Sequence, residues 1–246
     1  MPTLKIPRLL FGSALILSCA FGVSAQTRDL SVEVKDLSGP NSPITAKGQV
    51  LFQRISSADG VKTRHDIAVQ LTNASSKTIV AYEVSLQAIP DYGGGFNSTN
   101  LVDRFFRPQL QFVPGSQESW TFTDPGWDLD SSAAVTSKEP HASFTVLFVE
   151  FADGSKFGAS PWASSLSDAR QRAIERMQEI ETAYETSGDD GLRTSLATEI
   201  ARRDDPQMTT AVLNHLKATL DSSGPDAAAK QISDFLAAAQ NRKEIM

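Results

Sequence analysis

Apolar and polar residues alternate with a period of two from about Leu30 to Phe157. Leu30, Val32 and Val34 stand against Ser31, Glu33 and Lys35, and Val50 and Phe52 repeat the pattern. Ile67, Val69 and Leu71 alternate with Asp66, Ala68 and Gln70, and Val80, Tyr82, Val84, Leu86 and Ala88 extend the pattern over a longer run. Such alternation marks strands with one face buried. The run Phe144–Phe151 is apolar at both parities, which predicts a central strand. Asn73-Ala74-Ser75-Ser76-Lys77 supplies turn chemistry between two strong strands, and Asp153-Gly154 predicts a hairpin.

From Ser164 the period changes. Leu166, Ala169/Arg170, Ala173, Met177, Ile180 and Tyr184 recur at helical spacing, with Ser165 as a candidate cap and Gly188 as a candidate stop. A second helix is predicted from Asp190 to Arg203 on the stripe Leu192, Leu196 and Ile200. Asp205-Pro206 opens a third, and Ser223-Gly224-Pro225 separates it from a fourth carrying Ala228, Ile232, Phe235 and Ala239.

The predicted fold is α+β. An antiparallel immunoglobulin-like β-sandwich over 28–158 carries roughly seven to nine strands. A linker over 159–164 leads to a small antiparallel helical region over 165–246, of about four helices. Trp162, at the junction, is expected to pack between the two parts. Arg170, Arg172 and Arg176, interleaved with Glu175, Glu179 and Glu181, predict a solvated, ion-paired helix face.

The segment Ile67–Leu86 resembles the central strand pair of bacterial extracytoplasmic immunoglobulin-like modules of the FxLYD and CARDB-like types. It shares their apolar strand, an Asn-x-Ser/Thr turn, a Lys and an Ile-rich strand. The resemblance implies a secreted adhesive or scaffolding module without a catalytic centre.

The first 25 residues read as a processing signal. Lys5 and Arg8 precede the apolar stretch Leu9–Phe21, and Val23-Ser24-Ala25 offers small residues for cleavage. An uncleaved anchor, or lipidation at Cys19, is the competing reading, and only through this segment would the chain meet a membrane. Cleavage after Ala25 removes two basic residues and no acid, so the formal charge moves from −6 to −8. It also removes the single cysteine, excluding thiolate chemistry from the mature chain. An acidic chain without a basic face is a poor fit to nucleic acid.

Chemistry-bearing motifs are scarce. No G-x-S-x-G elbow, Walker loop or H-E-x-x-H occurs, and no cofactor is expected. His65, His141 and His215 lack metal-ligand spacing, and Gly93-Gly94-Gly95 reads as a loop tip. Asp128, Asp130, Ser132 and Glu139 fall at calcium-loop positions, but Ala133 stands where the sharp turn wants glycine, so a solvated acidic loop competes. Tyr92, Phe96, Arg104, Arg107 and Trp127 form a candidate binding surface in the long connections; core anchoring competes there, with Phe105 and Phe106 starting a strand. Asn73 and Asn97 lie in sequons that matter only in a eukaryotic secretory pathway. The leading expectation is an exported, non-enzymatic protein that binds or scaffolds a protein or envelope component. The alternatives are a carbohydrate- or envelope-binding module using loop aromatics, and a hydrolase drawing on dispersed acids such as Asp91, Asp103 and Asp124.

Overall fold

The structure, a computed structural model, describes residues 26–57, 60–92, 95–124, 128–129, 139–202 and 207–243. The alternating segments form strands β1 (Gln26–Asp36), β2 (Ile44–Ser57), β3 (Gly60–Asn73), β4 (Ile79–Ile89) and β5 (Phe96–Asp103). After a short 3-10 turn come β6 (Gln117–Asp124), β7 (Asp128–Leu129), β8 (His141–Phe151) and β9 (Lys156–Gly158). Three helices follow: α1 (Pro161–Ala201), α2 (Gln207–Ser223) and α3 (Pro225–Lys243).

The chain is therefore α+β, with one large curled sheet in the order β5-β4-β8-β1-β2-β3-β6; β7 pairs with β3 and β9 with β8. Curling brings inward-facing residues of both halves of the sheet onto a common core. Val50, Phe52 and Val69 from one half meet Tyr82, Leu86 and Phe144 from the other. On β3 the burial alternates strictly, as its sequence predicts.

The pairing departs from expectation in two places. One contact, β1 with β8, is parallel rather than antiparallel. It arises because β1 changes partner midway: residues 26–33 lie on β2, and Val34, Lys35 and Asp36 turn onto β8. Asp36 fixes the crossover by accepting from Ser38 N and Ala46 N at 2.9 and 2.8 Å. Secondly, β3 and β4 are not neighbours, so Ile67–Leu86 is not a strand pair; its turn carries the chain from one half of the sheet to the other.

Asn73 holds that turn. Its Nδ2 donates to Lys77 O and Phe112 O at 2.9 and 2.7 Å, and its Oδ1 accepts from the Ser75 amide and hydroxyl. Only 1% of the residue is exposed, so the sequon asparagine is an internal bracket rather than an acceptor for a glycan.

The first half of β4 is buried on both faces. Its outward face is covered by α1, where Leu166 packs on Ala81 and Phe148. The same cover explains why β8 is apolar at both parities. The helix expected from Ser165 begins at Pro161, capped by Ser160, whose Oγ accepts from Trp162 N and Ala163 N. Proline suits that first position because it has no N–H to leave unsatisfied. Among the described residues three helices stand where about four are expected. Gly188 does not end α1 but kinks it, with φ 60° and ψ −143°, conformations open to a residue without Cβ. The helices close a second core around Ile180, Leu192, Leu196, Leu213 and Leu216. Among the described residues, no helix is long and apolar enough to cross a membrane.

Candidate functional site

Where α1 crosses the sheet, the strand register lays down a row of three residues: Glu150 on β8, Ala81 on β4 and Asp103 on β5. Ala81 is small, and Leu166 of α1 packs on it. Arg170, one turn further along α1, reaches the two acids that flank Ala81. Its Nη1 donates to both oxygens of Glu150 at 2.8 and 3.0 Å, and its Nε and Nη2 fork onto Asp103 at 2.9 Å each. The guanidinium lies 4.2 Å from the centroid of Phe105. Arg170 is 7% exposed, so the predicted solvated face does not hold for it. Nor does it hold for Arg176, which is buried against Glu199 at 2.5 Å. Both arginines sit on the apolar stripe of α1, and helical periodicity carries them inward together with Ala173 and Met177.

The next row out places Glu83 between Phe148 and Leu101. Glu83 is 2% exposed and accepts a hydrogen bond from the Ser160 hydroxyl, so the helix cap also satisfies a sheet carboxylate. Beside it opens a cleft of about 590 Å³ between β5 and the helices. Glu83, Thr99, Leu101 and Asp103 line its sheet side. Trp162, Leu166 and Ala169 of α1, Ala211 and Val212 of α2, and Phe106 and Arg107 from the segment after β5 complete its lining. The volume lies in the range typical of small-molecule sites. Trp162 does not pack between the two parts as expected; it is 61% exposed at the cleft. Leu101, on the edge strand, is 37% exposed.

The expected surface residues are not brought together. Tyr92 is buried in the sheet core, its hydroxyl 3.5 Å from His65 Nε2, and burial pushes its phenol up to about 12. Phe96 packs against the same core and stacks on His65, with ring centroids 5.6 Å apart. Arg104 is taken up by Glu118, which also accepts from the Tyr82 hydroxyl at 2.8 Å, so it ties the two halves of the sheet instead of facing a partner. Of the four that are described, Arg107 alone lines the cleft. Trp127 lies outside the described residues. Phe105 and Phe106 do not start a strand; they sit in the turn after β5, and Phe106 stacks on Phe235 of α3 at 3.9 Å.

Of the calcium-loop residues, Asp130 and Ser132 lie outside the described residues, Asp128 lies in β7 opposite Lys62, and Glu139 is exposed. Among the described residues no group of three or more His, Cys, Asp or Glu is placed to hold a metal.

The three candidate acids have separate partners: Asp91 pairs with Arg28 at 2.7 Å, Asp103 with Arg170, and Asp124 with His65 Nδ1 at 3.1 Å. His65 is fully buried and links β3 to Asp124 at the end of β6 and to Tyr92 in the turn after β4. Sequence reasoning misses the Arg170 cluster and Glu83. The local signals are a charged residue on the apolar stripe of α1, Arg170, and a charged residue in the half of β4 that is buried on both faces, Glu83.

No protein-family model matches the chain, and no curated protein matches it. A solved structure of a hypothetical protein from Peptoclostridium difficile 630 is similar over 53% of this chain and 92% of its own, with 14% identity and a TM-score of 0.30. At that level the likeness carries neither fold nor function.

Proposed function

We propose that this is an exported, non-enzymatic binding protein, processed at Ala25, whose recognition surface is the cleft between β5 and the helices. Export rests on the basic, apolar and small-residue order of the first 25 residues. The curled sheet, with two strand groups around one core and β1 shared between them, is read as an immunoglobulin-like sandwich. The observation that carries the binding reading is the cleft itself, which exposes Trp162 and Leu101 beside β5. That strand has β4 as its one strand neighbour among the described residues, and Thr99, Asn100, Leu101 and Asp103 from it line the cleft. Extended segments recognise such edges through main-chain hydrogen bonds, and side-chain pockets alongside give the selectivity. Exposed tryptophan supplies the type of anchor that dominates binding surfaces. The partner class is a protein or envelope component.

A pull-down of the purified protein against envelope extract tests this reading when run beside the Leu101→Arg and Trp162→Ala variants. Both substitutions are at exposed positions, so neither removes core packing. Wild type is expected to recover a partner that both variants lose. Equal recovery by all three proteins, or no recovery by any, overturns the reading.

A further inference from the structure

We infer that the cleft takes a zwitterionic ligand, a short peptide with an apolar side chain, whose ammonium pairs with Glu83 and whose carboxylate pairs with Arg107. The inference rests on the cleft being the recognition surface and adds the chemistry of what enters it.

The charges around the cleft differ in how far they are already satisfied. Asp103 lines it, but both its oxygens are held by the Arg170 fork, and Glu150 is held by the same guanidinium. Glu83 is different: its hydrogen-bond partner is the neutral hydroxyl of Ser160. A carboxylate this deeply buried and without a cation is held at a desolvation cost that a bound ammonium would offset. Arg107, also in the lining, is half-buried and carries no ion pair among the described residues. The lining thus holds both an anion without a cationic partner among the described residues, Glu83, and a cation without an ion pair among them, Arg107. Leu101, Phe106, Trp162, Leu166, Ala169 and Val212 of the same lining give apolar contact. A purely cationic ligand would meet Arg107 unfavourably, and a purely anionic one would meet Glu83. A neutral apolar ligand would leave Glu83 buried without a counter-charge. A ligand bearing both charges with an apolar body between them matches all three features. Low-dielectric walls strengthen each charged contact relative to water.

The test is calorimetric titration of the purified protein with leucyl-leucine, its N-acetyl derivative, its C-terminal amide and the doubly capped form. The free dipeptide is expected to bind, and either cap alone to weaken binding roughly tenfold or more, as loss of one charge-assisted hydrogen bond implies. Glu83→Gln keeps an acceptor for Ser160 and should abolish the penalty for N-acetylation. Arg107→Ala, which removes no pairing among the described residues, should abolish the penalty for amidation. If the capped forms bind as tightly as the free dipeptide, and Trp162→Ala weakens all of them, the charge assignment falls while the cleft stands. If no form binds, the ligand class falls, and the pull-down decides the cleft separately.

Discussion

Replacing Arg170 with Met is expected to lower the unfolding free energy by about 3–5 kcal/mol, the range for breaking a buried ion pair by removing one partner. The loss follows from what stays behind. Asp103 and Glu150 together receive four hydrogen bonds from the guanidinium, and both sit beneath α1. Methionine fills similar volume but leaves two carboxylates under the helix with no cation. Lost contact with Phe105 adds a smaller term. Arg170→Lys should recover only part, because one ammonium cannot span two carboxylates with a planar fork. Chemical denaturation reads the difference as a lower midpoint at unchanged slope. A change below about 1 kcal/mol, the size of an exposed pair, would mean that water reaches the cluster.

Asn73→Asp is the second large effect, about 3 kcal/mol from two lost buried hydrogen bonds and a carboxylate facing carbonyl oxygens. The substitution barely changes shape. The oxygen facing Ser75 is kept, but the amide donors to Lys77 O and Phe112 O become an acceptor aimed at two acceptors. Since this turn carries the chain between the halves of the sheet, the whole transition should shift rather than a local segment. Thermal unfolding by circular dichroism checks it: on a domain of this size the loss amounts to several degrees. Ser75→Ala, which removes one hydroxyl, should cost about 1 kcal/mol.

Local order was the legible part of this chain. The alternation on β3 reads directly into its burial, Asp153-Gly154 does connect β8 to β9, and Ser223-Gly224-Pro225 separates α2 from α3. Gly188 reads in the sequence as a helix stop, but a positive φ in glycine kinks a helix as readily as it ends one. Strand partners were not legible, because they depend on contacts far apart in sequence. Nothing near Asn73 shows that its amide reaches Phe112, and nothing near Val34 shows that β1 will change partner. The site was hidden for the same reason. Glu83, Asp103, Glu150 and Arg170 come from four separate elements, and only the sheet register aligns the three acids beneath one helix. Aromatic loop residues were a misleading guide, since Tyr92 and Phe96 close the core around His65 instead of facing solvent.

The binding claim is tested most directly by amide hydrogen exchange on the protein with and without its captured partner. The account expects new protection concentrated in residues 97–107 and 160–169, which border the cleft, with β2 and β3 unchanged. Protection confined to other strands, with 97–107 and 160–169 exchanging as in the free protein, would contradict it.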